Sequence, residues 1–380
     1  MNFDLFNTLK KLLSLPLAGW LRLVGLIFIR KTTSRAVVVF YNGKLGDMVC
    51  LTPVLAALKS NYPNQKLIVY ARNNFLDVWQ NNPNLDEIIG FAGEQESGRF
   101  SWLIKQWQRL NSFQITAYYN LMNNFEGGIL GLMLAADCHY TVSTELDGRL
   151  LRLLYHFYST NEYKFDCLIK DFYFEWLKKN GLKIEGNLRN QLFFPGDQDE
   201  VEDFFSANSL AGQTVISVII SSGKDYKIWP LSYWLELLKR LQNEYQPVFL
   251  LFGLKEDENY LEQIKTEIGV NVYLILGKDL EIIPYYLKKS HLFIGVDTGL
   301  LYMADALSIP VVDILGPCDD NNQRPENTYR LVTDRAVCRP QCKMLYNAPI
   351  NKTEVAACFL AIRPEQVFGA CRDLLLLVIR

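Results

Sequence analysis

At 380 residues, with 49% hydrophobic and 21% charged side chains, the chain is long enough for two domains of ordinary size and has the composition of a globular protein, not of a disordered or fibrous one. A formal net charge of -2 supplies no broad basic field, which excludes a general duplex-binding surface and leaves any phosphate to be caught locally; no nucleic-acid partner is expected. The eight cysteines are scattered through the chain, the pattern of reduced thiols in a cytosolic protein.

Residues 5–30 (LFNTLKKLLSLPLAGWLRLVGLIFIR) are largely apolar but interrupted by Lys10, Lys11, Pro16, Arg22 and Arg30. A mid-span arginine and a helix-breaking proline argue against a transmembrane helix, and no small-residue cleavage site follows that would mark a signal peptide. A basic amphipathic segment remains, which either lies on the inner membrane surface or packs on the domain. The expected location is cytoplasmic, peripheral on that membrane if the first alternative holds.

From residue 36 onward, short apolar runs alternate with helical patterns, as in parallel sheets whose strands are covered by crossover helices. The first half offers strands at 36–41 (AVVVFY), 66–71, 86–91 and 115–120. After the first strand a loop, NGKLGD, leads into a helix that begins at Thr52 and ends at Pro63, and further helical segments fall near 75–80 and 101–110. Residues 145–190 change character, being rich in Tyr, Phe, Lys and Asn, with a helix over 167–180. The alternation then restarts with strands at 214–222, 247–253, 272–277, 291–296 and 310–316 and helices at 231–244, 256–267, 282–289 and 299–308. The spacing predicts an amphipathic segment over 1–35 and doubly wound domains over 36–190 and 191–380, with a C-terminal helix able to cross back. Two such domains would face a central cleft.

The conspicuous loops follow strands. In GVDTGL, Thr298 and Gly299 stand at a helix start whose free N–H groups and positive end suit a diphosphate, while Asp297 is either a ligand or an N-cap. In SSGKDYKIWP, Ser221, Ser222 and Gly223 follow a strand, and Lys227 offers a compact positive charge or is a surface lysine beside a helix start. In FGLKEDE, Glu256 or Glu258 could accept from a ribose hydroxyl, although acids also simply suit a helix dipole. Asp47 in GKLGD is placed either as a general base toward an acceptor hydroxyl or as a helix cap, and Lys44 could steer an anion. His139, His156 and His291 show no catalytic or metal spacing. No GxGxxG follows a strand, and there is no P-loop or nucleophile elbow. Cys338, Cys342 and Cys358 lie close together but, with no histidine nearby, make an incomplete zinc set.

With these residues quoted, LGDMVCLTPVLAALKSNYPNQKLIVYAR resembles the opening of the lipopolysaccharide heptosyltransferases of glycosyltransferase family 9, and GVDTGLLYMADALSIPVVDILGP resembles their donor loop. KIWP and the tail CRPQC with IRPEQV follow in the same order, so the resemblance covers roughly residues 36–370. It implies a GT-B fold, an acceptor-binding first half and a nucleotide-sugar-binding second half. It also implies inverting transfer of a heptose or related sugar from an ADP-linked donor to a lipopolysaccharide core or another envelope glycan, with ADP-heptose as co-substrate and no essential metal. By the same resemblance Asp47 becomes the general base, Lys227 a diphosphate contact, Asp297 a contact to the donor sugar, and Thr298, Gly299 and Leu300 backbone phosphate binders. Ser221 and Ser222 join the donor loop, the acid after Gly253 holds the ribose, and Lys44 and Gly46 lie on the acceptor and phosphate-steering loop. Tyr302 departs from the pattern, since many relatives have histidine there and a phenol is not cationic near neutral pH. A transferase using another nucleotide sugar, or a non-catalytic nucleotide- or glycan-binding relative, is the alternative.

Overall fold

The computed structural model describes residues 34–91, 99–122, 124–145, 147–195, 198–220, 222, 227–334 and 357–378, together with 16, 18–20, 22 and 23. The chain divides into two compact units, one of residues 1–44 and 53–188, the other of residues 45–52 and 189–380.

The first unit is built on a six-stranded, all-parallel sheet in the order β3-β2-β1-β4-β5-β6. Its strands are β1 (Arg35–Phe40), β2 (Lys66–Arg72), β3 (Glu87–Phe91), β4 (Gln114–Asn120), β5 (Cys138–Thr144) and β6 (Ser159–Tyr163). The central strands read as near-continuous apolar runs because helices bury both faces. β5 and β6 were not expected. β6, at the sheet edge, carries STNEY with only its last residue buried, so it lacks the apolar signature of a central strand.

Helix α1 (Leu45–Asn61) starts seven residues earlier than the apolar spacing suggested, so Asp47 sits in its first turn and not in a loop. Pro53 inside this helix lacks the N–H that would bond Val49 O. Thr52 Oγ1 donates to that carbonyl instead, at 2.7 Å. The division between the two units falls at this proline.

Four helices follow in the first unit: α2 (Arg99–Leu110), α3 (Phe125–Met133), α4 (Arg149–Tyr155) and α5 (Ile169–Lys179). The segment expected to be helical near 75–80 is a 3-10 helix over Asn73–Val78. α3 contains three glycines that weaken helix propensity, yet all are needed. A Cβ at Gly127, Gly128 or Gly131 would lie within 2.5 Å of Phe40, Leu154 or Tyr158 respectively.

The second unit repeats the design, with strand order β12-β11-β10-β7-β8-β9, all parallel. β7 (Val215–Ile219), β8 (Val248–Gly253), β9 (Val272–Leu276), β10 (Leu292–Val296) and β11 (Val311–Ile314) match the expected runs; the four-residue edge strand β12 (Tyr329–Val332) is additional. Helices α6 (Asp199–Ala207), α7 (Leu231–Tyr245), α8 (Glu258–Ile268), α9 (Ile283–Lys288), α10 (Gly299–Ala306), α11 (Ala357–Ala361) and α12 (Pro364–Val378) surround the sheet. α12 packs on α7 and on β10, β11 and β12, within the second unit. Numbered from its own first strand, each sheet runs 3-2-1-4-5-6, the order of the dinucleotide-binding fold.

Candidate active site

In the second unit the strand order reverses between β7 and β10. Open parallel sheets bind ligands beyond the carboxyl ends of the strands at such a reversal. Lys227 lies on the segment after β7 and Asp297 on the turn after β10, and here they meet: Lys227 Nζ donates to Asp297 Oδ2 at 2.5 Å. Their side chains are 17% and 18% exposed, so the pair is well shielded but reachable. Tyr302 Oη, one turn along α10, donates to Asp297 Oδ1 at 2.8 Å, and Cys318 Sγ lies 3.0 Å from Oδ2.

Burial raises the Asp297 pKa, but the Lys227 charge and these donors overcome it and hold the carboxyl below its ordinary value. Burial likewise opposes the Lys227 charge, and Asp297 outweighs it, so the ammonium is held above its usual range. Burial and then Asp297 push the Tyr302 phenol and the Cys318 thiol upward, so both stay protonated donors. The result is one cation and one anion, ringed by two neutral donors.

Asp297 is not the helix cap. Thr298 holds that position in extended conformation (φ -149°, ψ 166°), and its side chain makes no capping bond. The backbone N–H groups at the start of α10 therefore have no side-chain oxygen from their own cap residue. Thr298, Gly299 and Leu300 are all half-buried there.

The start of α1 nests against the start of α10. A Cβ on Gly299 would stand 2.5 Å from Leu45 Cγ and Cδ2, and one on Gly46 would stand 2.8 Å from Tyr302 Cδ2. The bare face of Gly299 is occupied by Leu45. The same packing fixes the helical turn that carries Asp47, which is half-buried.

Ser221 and Gly223 lie outside the described residues, as do Cys338 and Cys342; Ser222 is half-buried. Lys44 is exposed, one residue before α1. Glu256 and Glu258 are exposed on either side of Asp257, whose Oδ2 accepts from Leu254 N at 2.8 Å. Asp257 is thus the local cap, and the two glutamates remain equivalent in exposure. Trp229 of KIWP is fully buried and donates from Nε1 to Ile362 O at 3.0 Å, a packing role. Cys358 is buried, and among the described residues no group of His, Cys, Asp and Glu is arranged to hold a metal ion. Among them, too, no helix is long and apolar enough to cross a membrane.

Residues 103–344 match the family model described as "Glycosyltransferase family 9 (heptosyltransferase)". The chain belongs to glycosyltransferase family 9. The matched span contains Lys227, Asp297 and Tyr302 and begins after Asp47. This glycosyltransferase is 24% identical over 292 residues to a Haemophilus influenzae protein provisionally named a glycosyltransferase, covering 73% of this chain and 81% of that one. Among solved structures, a family 9 glycosyl transferase from Veillonella parvula superimposes with a TM-score of 0.75 at 19% identity, covering 91% of this chain and 98% of the other. ADP-heptose LPS heptosyltransferase II of E. coli gives 0.68 at 18% identity, covering 90% and 98%. The fold is therefore the two-Rossmann GT-B type expected from the sequence.

Two acids and two thiols of the glycosyltransferase escaped the sequence reading. Cys318 follows β11 in a loop, with no pattern to flag it. Asp305, fully buried on α10, accepts from Glu326 N at 3.0 Å and Asn327 N at 2.8 Å, and so ties the stretch after Cys318 to the donor-loop helix. Cys50 on α1 is bound to the same stretch, accepting from Gln323 Nε2 at 2.9 Å. Asp313, fully buried on β11, has no hydrogen-bond partner for either carboxylate oxygen among the described residues. For both aspartates the signal was available: a lone acid inside an apolar run.

Burial, and then the Asp297 charge, push the Asp313 carboxyl well above its usual range. A raised acid contributes stability that is full below its unfolded value near about 4 and is lost as pH rises toward the folded value. Asp313→Asn removes that dependence, so the variant should gain on the wild-type protein as pH is raised from about 4 to about 8, read as the difference in thermal midpoint. A difference that stays flat with pH would contradict a buried, proton-carrying Asp313.

Proposed function

We propose that this enzyme transfers a heptose or a closely related sugar from an ADP-linked donor to a lipopolysaccharide core or similar envelope glycan, inverting the anomeric centre. The observation that carries this reading is the Lys227–Asp297–Tyr302 cluster beside an uncapped helix start at the strand-order reversal. The heptosyltransferase relatives point to ADP-heptose as donor and to a glycolipid acceptor.

Lysine has three donors, so Lys227 can hold Asp297 and still donate to a diphosphate oxygen. The N–H groups of Thr298, Gly299 and Leu300, with Ser221 and Ser222, complete the phosphate cradle. Asp297 receives a donor-sugar hydroxyl, and Glu256 or Glu258 the ribose. Tyr302 acts through Asp297, by a neutral hydrogen bond that orients its carboxylate. Lys44 and the Gly46 turn steer the acceptor, which the first domain, over 36–190, binds. In the transfer the acceptor hydroxyl oxygen bonds to the anomeric carbon and its proton passes to Asp47. The bond from that carbon to the phosphate oxygen breaks, and the charge on the departing ADP is met by Lys227 and the α10 N-terminus.

The donor is tested by thermal stability against ADP, UDP, GDP and NAD. ADP should raise the midpoint most, by the amount a ligand of the folded state gives, about 2.7 kcal/mol at a hundredfold excess over Kd. A larger shift with UDP or GDP would move the reading to another nucleotide sugar, and no shift with any of them would overturn it.

A further inference from the structure

Three strand ends of the second sheet meet at one carboxylate. Lys227 follows β7, Asp297 follows β10 and Cys318 follows β11, and these strands are consecutive in the sheet. The Cys318 sulfur lies 3.0 Å from Asp297 Oδ2, the oxygen that also accepts from Lys227 at 2.5 Å, and it accepts in turn from the Lys227 ammonium. A thiol has one weak donor and a weakly accepting sulfur, and here each meets a charge. Cys358 and Cys371 show the contrast, since both are packed in the apolar core cluster of the same unit.

The loop that presents Cys318 is braced along its length. Cys318 N donates to Gly316 O at 2.8 Å, and a Cβ on Gly316 would stand 2.3 Å from Phe359 Cε2 and Cζ, so the turn is seated on a buried ring of α11. Further on, Gln323 is bonded to Cys50, and the N–H groups of Glu326 and Asn327 are bonded to Asp305. Anchored on both sides, the half-buried thiol is held at a fixed point beside Asp297, whereas Lys227 reaches it on a flexible four-carbon stem.

We infer that Cys318 is a positioning residue of the transfer, whose thiol keeps Asp297 aimed at the donor sugar while Lys227 engages the diphosphate. The inference rests on the reading of Asp297 as the contact to that sugar. Lys227 serves both the carboxylate and the leaving group, and each N–H it turns to phosphate is one it withholds from Asp297. Tyr302 holds Oδ1, so at that moment Oδ2 depends on Cys318. Without the thiol, Oδ2 either draws Lys227 back from the phosphate or turns out of line.

The test uses Cys318→Ala and Cys318→Ser in the full chain. Turnover of the ADP-linked sugar by Cys318→Ala should fall about 10-fold, the low end for a hydrogen bond to a charged group, while its ADP-induced thermal shift stays at the wild-type value. Cys318→Ser, which restores a donor, should recover the loss. A second readout needs no substrate. The groups facing Asp297 are Lys227, Tyr302 and Cys318, with Asp313 on β11. Lys227 stays charged and the other three stay protonated at acid pH, so within the cluster Asp297 is the group that titrates there. Its depressed carboxyl gives stability that is present above the unfolded value near about 4 and is lost as pH falls through the folded value. The thermal advantage of the wild-type protein over Cys318→Ala should therefore be full at neutral pH and shrink below about pH 4, with Cys318→Ser following the wild-type curve. An advantage that stays flat with pH, unchanged turnover by Cys318→Ala, or a serine variant as impaired as the alanine one would overturn the proposal. A wild-type protein that shows no ADP-induced shift but keeps the pH signature would strike the donor reading and leave Cys318 as the group that fixes Asp297.

Discussion

Replacing Asp47 by alanine is expected to lower kcat for sugar transfer by about 10²–10⁴-fold, the contribution of a positioned general base. Asp47 lies in the first turn of α1, and that turn is fixed by Leu45 on Gly299 and by Gly46 under Tyr302. Truncation of Asp47 keeps the Leu45–Gly299 and Gly46–Tyr302 packing that holds this turn. Donor binding should therefore survive, with the ADP-induced thermal shift close to that of the wild-type chain. Asp47→Asn, which keeps the shape and removes the basicity, should lose as much kcat. Full turnover by either variant would remove Asp47 from the role of base.

Lys227→Met should have the largest effect on stability together with donor affinity. It keeps the aliphatic stem and removes the charge, leaving the shielded Asp297 carboxylate with Tyr302 and Cys318 as its remaining donors among the described residues. Breaking a pair of this kind by removing one partner costs about 3 kcal/mol at the lower end of the range, which suits side chains that keep some contact with solvent. Loss of a hydrogen bond to a charged phosphate should weaken ADP by about 10–100-fold. The double variant Lys227→Met with Asp297→Asn separates these effects: stability should largely return, because no unpaired charge remains, while ADP affinity should not. The pH dependence follows in sign. A depressed acid gives stability that is present above its unfolded value and lost as pH falls through the folded one, so acid destabilisation through Asp297 should be steeper in the wild-type protein than in the double variant.

The second unit was the more legible half because its strands are buried on both faces and appear as unbroken runs such as VFLLFG and LFIGV. The elements that escaped lie where that signal fails. β6 and β12 are edge strands with polar or very short sequences, and α3 carries glycines that its close packing on Phe40, Leu154 and Tyr158 requires. The early start of α1 was hidden by two glycines, which read as loop residues.

At the site, Lys227 and Asp297 could be chosen singly from their loops, but that they touch depends on β7 and β10 being neighbours, a fact of strand order. Cys318 reaches the same carboxylate from a third loop, far along the chain, and no local pattern announces it. Tyr302, a departure from the expected histidine, turned out to face Asp297 directly.

The nesting of two helix starts also binds distant positions into a shared inheritance. A bulky ring at 302 holds the chain to glycine at 46, and a leucine at 45 holds it to glycine at 299. A lineage that exchanged Tyr302 for a smaller ring would relax the constraint at 46 before that at 299. Drift at these four positions should therefore run in pairs, a fingerprint that sets apart relatives built on the phenol from those built on the imidazole.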